Sequence, residues 1–306
     1  MSNQSSNHIL MIEPSAFYAN PETMDTNVYQ VEHDEPNEII FERALEEFRS
    51  LRNALVEAGV FVTVARGFSD CPDMVFPNCL STHRGDFGDD DGGAGKLFVY
   101  PMLNENRQAE RDQDLIDLLM KSYAHCEDWT RYEADGRALE STASIVMDRV
   151  NRVGYSGLSA RSDRALVEQW CDHMGYELVG FETQSHAEKP VYHTDCVMWI
   201  GSSLAGVCSE SIVEADRGRV MSAIKKTHKV VEFDAEQLKA MCGNALEVVG
   251  EGGLKMLVMS SGAHAALRED QEKLILSHYD RIIHVPLDTL EKYGGGSARC
   301  MLMELF

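Results

Sequence analysis

One recurrence constrains this chain more than any other feature. An amphipathic helix, a short β-like stretch, a turn and a second apolar strand follow one another five times. Helices are predicted over 38–58, 107–124, 161–174, 210–226 and 267–279. The first is clearest by period, with Phe41, Leu45, Phe48, Leu51 and Leu55 on one face. The β-like stretches that follow are Val60 to Ala65, Cys126 to Tyr132, Tyr176 to Phe181, Lys229 to Phe233 and Arg281 to Leu287. Gly59 and Gly175 stand where helix C-caps favour a residue without a Cβ. The second strands are Met74-Val75-Phe76, Ser144 to Met147, Cys196 to Ile200, Leu254 to Met259 and Cys300 to Phe306.

Anchored on Asp73, Glu140, His193, Gly253 and Cys300, the steps are 67, 53, 60 and 47 residues. A unit that cannot bury its own sheet must stack on its neighbours. The expected architecture is therefore α/β, a closed ring of five units whose inner strand ends converge on an axis. A doubly wound parallel sheet is the competing reading. It would want a Gly-rich phosphate turn after the first strand, and Ala65-Arg66-Gly67-Phe68 does not supply one. No linker divides the chain, so residues 1–8 are expected as a disordered tail and 9–306 as a single domain.

Charge narrows the partners. Lys plus Arg total 28 against 50 Asp plus Glu, a net charge of −22. Such a chain repels phosphate backbones and anionic membrane surfaces, so neither nucleic acid nor membrane is expected as a partner. No apolar run is long enough to span a bilayer. Eight cysteines without a CxxC pair fit neither a disulfide scaffold nor a zinc module. With a polar N-terminus that lacks a basic n-region, free thiols in the cytoplasm are expected. A homo-oligomer is left open.

The polar residues at the repeated turns are Asp73, Glu140, His193 with Asp195, and Cys300. Converging turns would place a thiol, an imidazole and three carboxylates in one pocket. That set offers a nucleophile, a proton carrier and acceptors for a ligand with several N–H groups. Each residue also has a plainer reading. A cysteine is more often a small buried hydrophobe, and Asp73 after Pro72 suits a turn. His193-Thr194-Asp195 on a strand would put two side chains on one face, but no third ligand has metal-like spacing, so no metal is expected, and chemistry by a thiol, an imidazole and carboxylates requires no organic cofactor. Asp86 to Gly95 lacks the alternation of a calcium loop and reads as an exposed hairpin tip. Gly294-Gly295-Gly296 precedes a strand and lets backbone come close to a ligand beside Cys300. Gly154-Tyr155-Ser156-Gly157 is not a serine-hydrolase elbow.

PDMVFPN (72–78), LESTASIVMDRVNR (139–152), VYHTDC (191–196) and GGGSARCMLMELF (294–306) together resemble the guanidine-modifying, or pentein, superfamily. The likeness is strongest to its amidinotransferase-like citrulline utilization hydrolase branch and runs from about Pro14 to Phe306. It implies a five-bladed pseudo-symmetric α/β propeller. It implies Cys300 as nucleophile, His193 as general acid and base, and Glu140 as the acid that orients them. It assigns Asp195 to the planar ureido or guanidino group, Asp73 and Phe76 to substrate contact, and Arg161 to a substrate α-carboxylate. Arginine-type members carry a second Asp soon after Phe76. Here Phe76-Pro77-Asn78-Cys79 is neutral. An Asn78 amide donates to a ureido oxygen, whereas a carboxylate favours a guanidinium. The expected reaction is therefore hydrolysis of the small amino acid citrulline to ornithine, ammonia and carbon dioxide. The alternatives are arginine or agmatine deiminase, dimethylarginine hydrolase and amidinotransferase, with a non-enzymatic pentein binding protein as the second class.

Overall fold

The computed structural model describes residues 4–32, 34–85 and 95–306. Among the described residues fifteen strands form five three-stranded sheets. The first sheet joins the two ends of the chain. Strand β1 (His8–Glu13) runs parallel to β2 (Phe61–Arg66) and antiparallel to the last strand, β15 (Met303–Glu304). The other sheets are β3 (Leu80–His83), β4 (Lys96–Val99) and β5 (His125–Asp128); β6 (Val146–Asp148), β7 (Val153–Gly157) and β8 (Glu177–Phe181); β9 (Met198–Ile200), β10 (Leu204–Val207) and β11 (Lys229–Glu232); and β12 (Leu246–Val249), β13 (Lys255–Ser260) and β14 (Arg281–Val285). In every sheet the middle strand pairs antiparallel with the inner strand and parallel with the outer one. Inner strands abut their neighbours, β15 against β3, β6 against β9 and β9 against β12. This is the five-bladed propeller expected.

A parallel pair needs a crossover, and each blade supplies a helix. These are α1 (Asn37–Glu57), α2 (Gln113–Leu119), α3 (Arg164–Met174), α4 (Glu214–Lys225) and α5 (Glu269–Leu276). Helix α1 buries Ile40, Ala44, Phe48, Leu51 and Leu55 at spacings of three and four, while Phe41 is partly buried against the same core. Its stripe packs on Met11, Val258, Ile283 and Leu290, knitting the first and last blades together. Each fully buried Leu or Phe there contributes about 1.5–3 kcal/mol. Gly175 caps α3 at φ +67°, a conformation that costs a residue with a Cβ.

Several boundaries differ from expectation. The helix predicted over 107–124 shrinks to α2 because Asp112 caps it, accepting from the Asp114 and Leu115 N–H groups. Met74-Val75-Phe76 is a turn, flanked by Pro72 and Pro77, with Phe76 N–H bonded back to Asp73 O. The inner strand of that blade is β3. In the last blade Leu254 to Met259 is the middle strand, so Gly253 lies in a hairpin and the inner strand is β12. The Cys126 strand ends at Asp128 and gives way to a 3-10 turn, Thr130–Asp135.

The tail expected over 1–8 is largely built into the fold. Gln4, Ser5 and Ser6 are buried, Gln4 donates to the carbonyls of Met147 and Ile200, and β1 starts at His8. Residues 1–3 lie outside the described residues, as does most of the hairpin tip expected at 86–95. Among the described residues no helix is long and apolar enough to cross a membrane.

Candidate active site

The segments that lead into the inner strands carry the site, because the propeller brings five of them to one end of its axis. Glu140 precedes a one-turn helix, Ser141–Ser144, before β6. His193 is extended (φ −131°, ψ 146°) and caps another single turn, Thr194–Val197, before β9. The H-x-D segment is thus not a strand, as period-two reasoning expected. Its turn still buries His193 and Asp195 together. Cys300 lies in a 3-10 turn, Arg299–Met301, before β15.

These residues touch. His193 Nε2 lies 2.7 Å from Glu140 Oε2. Cys300 Sγ donates to Asp195 Oδ2 at 3.5 Å. Burial lowers the proton affinity of His193 below its ordinary range, against the opposing hydrogen bond and charge of Glu140. Burial would raise Glu140, but Arg161 and His193 outweigh it and hold the carboxyl at about 2. Glu140 is therefore an anion that accepts Nε2–H, which leaves the lone pair of neutral His193 on Nδ1. That Nδ1 is buried and has no hydrogen-bond partner among the described residues.

Asp73 Oδ2 accepts from Asn20 Nδ2 at 2.8 Å and Thr23 Oγ1 at 3.2 Å, while its buried Oδ1 has no partner among the described residues. Burial raises the Asp73 carboxyl, with Arg107 and the Asn20 bond opposing. Phe76 is wedged beside the glycines. A Cβ on Gly294 would come within 2.6 Å of its ring, and one on Gly296 would lie 3.3 Å from Cys300 Sγ. The glycine backbone therefore runs close to both Phe76 and Cys300. Asn78 is buried two residues before β3.

Arg161 is buried and committed in several directions. It lies 3.7 Å from Glu140 Oε2, donates to Thr26 Oγ1 at 2.8 Å and to Thr23 O at 3.2 Å, and covers the Tyr192 ring. A cavity of about 140 Å³ opens beside it, bordered by Asp25, Thr26, Lys189 and Tyr192. The 20–30 segment thus ties Asp73 to Arg161 through Thr23.

Sequence reasoning missed four neighbours of this site. Asn20 and Thr23 hold Asp73. Arg107 pairs with Glu110 at 2.7 Å and donates to Phe76 O. Arg299 lies 3.6 Å from Asp195. Arg299 alone carried a sequence signal, its place beside Cys300. A fifth, Asn244, stands two residues before β12. All eight cysteines are free, and Cys126 alone is exposed. Among the described residues no group of three or more His, Cys, Asp or Glu side chains is placed to hold a metal.

The family model described as N,N dimethylarginine dimethylhydrolase, eukaryotic, matches residues 13–306. The chain belongs to that family. It is accordingly a pentein of the guanidine-modifying superfamily and a hydrolase of C–N bonds. The substrate-bound N-terminal domain of ArgZ, an arginine dihydrolase from the ornithine-ammonia cycle in cyanobacteria, superposes with a TM-score of 0.73 at 15% identity over 97% of each chain. Unliganded AgrE gives 0.72 at 16% identity over 98% of this chain and 39% of its own. A dimethylarginine dimethylaminohydrolase adduct with S-methyl-L-thiocitrulline gives 0.64 at 17% identity over 97% and 99%. At these identities the likeness is one of fold. A sequence comparison with curated proteins returns no match.

Proposed function

We propose that the protein hydrolyses the guanidino group of arginine or a methylated arginine, with Cys300 as nucleophile, His193 as acid and base, and Glu140 as the residue that orients His193. The carrying observation is the character of the unpartnered buried atoms. Asp73 Oδ1 and His193 Nδ1 are both acceptors, and the Asp195 carboxylate beside Cys300 is a third. A guanidinium brings five N–H donors and no acceptor, so it suits them. The family match and the substrates in the names of the structural neighbours support the same class.

In this reading the Cys300 thiol gives its proton to Nδ1 of neutral His193, and its sulfur attacks the central guanidino carbon. The C–N bond to the terminal amine then breaks, and His193 delivers the proton that the amine carries away. His193 Nδ1 next takes a proton from water, the hydroxide adds to the same carbon, and the C–S bond breaks. The products are an amine and a ureido amino acid. Asp73, Phe76, Asp195 and Arg161 hold the substrate so that its plane faces the sulfur.

Citrulline is the second reading, favoured by the buried carboxamide of Asn78, which offers the donor a ureido oxygen needs. The test is amine release from arginine, methylated arginines, agmatine and citrulline, with Cys300→Ala as control. Release from arginine-type substrates alone, lost in the variant, is expected. Release from citrulline alone overturns the guanidino reading. Turnover that survives in Cys300→Ala overturns the nucleophile.

A further inference from the structure

Four of the five segments entering the inner strands carry residues already placed in the site. The fifth lies before β12 and holds Asn244, a residue with no accessible surface. Its side chain makes four hydrogen bonds. Oδ1 accepts from the backbone N–H of Arg299 at 3.0 Å and of Cys300 at 3.3 Å. Nδ2 donates to the carbonyl of Asp195 at 3.1 Å and to Cys300 Sγ at 3.1 Å.

These partners fix which way the amide points. Two backbone N–H groups can be met only by the amide oxygen, and a backbone carbonyl only by the nitrogen. The group facing Cys300 Sγ is therefore an N–H. A donor to sulfur favours the thiolate, the form that attacks carbon.

Among the described residues no other side-chain N–H meets the sulfur, and the Cys196 S–H is the weaker donor. Asp195, 3.5 Å away, is an acceptor and repels negative charge on sulfur. Arg299 faces the Asp195 carboxylate at 3.6 Å. Cys196 remains a thiol, its proton held by a hydrogen bond with Cys300 and by burial. Tyr192 remains a phenol through burial and donates to Gly295 O at 2.6 Å. Glu140 and His193 are engaged with each other.

We propose that Asn244 is a catalytic residue of this hydrolase, whose amide N–H stabilises the negative charge that the Cys300 sulfur carries during attack and fixes that sulfur in position. The inference rests on Cys300 being the nucleophile. In the resting site the Cys300 S–H donates to Asp195. When substrate neutralises Asp195 and the thiol proton passes to His193 Nδ1, the Asn244 N–H stays on the sulfur through attack and release. The same side chain pins the Cys300 backbone to the Asp195 carbonyl, so two turns from different blades are held by one amide.

The test is Asn244→Asp, which keeps an oxygen for the two backbone N–H groups and replaces the donor with a carboxylate. Alkylation of Cys300 by iodoacetamide is followed against pH on the Cys300 peptide, which separates it from exposed Cys126. The midpoint is expected to move to higher pH, and kcat to fall about 100-fold with KM little changed. An unchanged alkylation profile, or an effect on KM alone, overturns the proposal. Should the variant not fold, the wild-type Asn244 Nδ2 resonances are followed by NMR. They should shift at the pH step that governs alkylation, and that step should vanish in Cys300→Ser; resonances that ignore it overturn the proposal. Turnover retained by Cys300→Ala would instead count against the nucleophile assignment, and the alkylation profile would still report on the Asn244 contact.

Discussion

His193 Nε2 and Glu140 Oε2 lie 2.7 Å apart with neither side chain in contact with solvent. This contact sets the sign of the pH dependence. Burial lowers His193 below 6.5, and the charge and hydrogen bond of Glu140 raise it part of the way back. If catalysis needs neutral His193, the acid limb of kcat/KM has its midpoint below pH 6.5. Glu140→Gln removes the charge and leaves only a neutral amide acceptor for the hydrogen bond, so the midpoint should move lower still. Because the imidazole also loses its orienting anion, kcat should fall about 100-fold or more. A pH–rate profile of both proteins checks this. A limb that stays put or moves up would show that Glu140 does not act through His193.

Asp73→Asn changes charge with little change in shape. The amide oxygen can still accept from Asn20 and Thr23, so the fold should persist. The unpartnered oxygen, however, becomes an NH2 facing a ligand rich in donors. Losing a charge-assisted bond of about 1.5–3 kcal/mol should raise KM for an arginine-type substrate about 10- to 100-fold. A ureido substrate should lose less, since its oxygen accepts from the new amide. Steady-state kinetics on arginine and citrulline read the ratio. Equal losses on both would remove Asp73 from guanidinium recognition.

Arg161 offers a stability test. It lies 3.7 Å from Glu140 in a setting without solvent, and it also bonds Thr23 and Thr26. Arg161→Ala leaves the carboxylate beside it with less compensation and should cost about 3–5 kcal/mol. Arg161→Lys restores a charge but not the planar fork, so it should recover part of the stability and less of the substrate binding. Urea denaturation of both variants decides the point, and equal stabilities for Ala and Lys would mean that the charge is unimportant.

Much of this arrangement was legible in the sequence because the repeat sets both fold and site. Glu140, His193, Asp195 and Cys300 each stand shortly before an apolar inner strand, so counting units also locates polar residues. The count slipped in the last blade. There β12 reads Leu-Glu-Val-Val, where a carboxylate breaks the apolar run, although Glu247 is buried and satisfied by Ser5 and Ser202. The anchor moved to Gly253 in the hairpin beyond, and Asn244 was lost with it. Asn244 is neutral and common in loops, and its significance depends on a sulfur 56 residues away. Likewise, a charged residue at the start of the helix predicted over 107–124 gives no sign of burial, and only the tertiary fold shows Arg107 against Phe76 and Glu110.

The glycine beside Asn244 provides the last test, because it separates strain from propensity. A Cβ at Gly243 would lie 2.1 Å from Cys196 O and 2.8 Å from Val197 C, both backbone atoms that no rotamer change can move. The Gly243 turn would have to shift away from the Cys196 turn, and Asn244 with it. At Gly218, inside α4, a Cβ meets nothing within 4 Å. Gly218→Ala should therefore stabilise the protein by about 0.5–1 kcal/mol through helix propensity and a less flexible unfolded chain. Gly243→Ala should destabilise it by about 1–3 kcal/mol. If Asn244 positions the sulfur, Gly243→Ala should also lower kcat at temperatures where the variant is fully folded, whereas Gly218→Ala should leave kcat alone. Chemical denaturation and kcat on both variants measure the two effects separately. Full activity in a folded Gly243→Ala protein would mean that the loop bearing Asn244 tolerates displacement, and that the approach of these two turns serves packing alone.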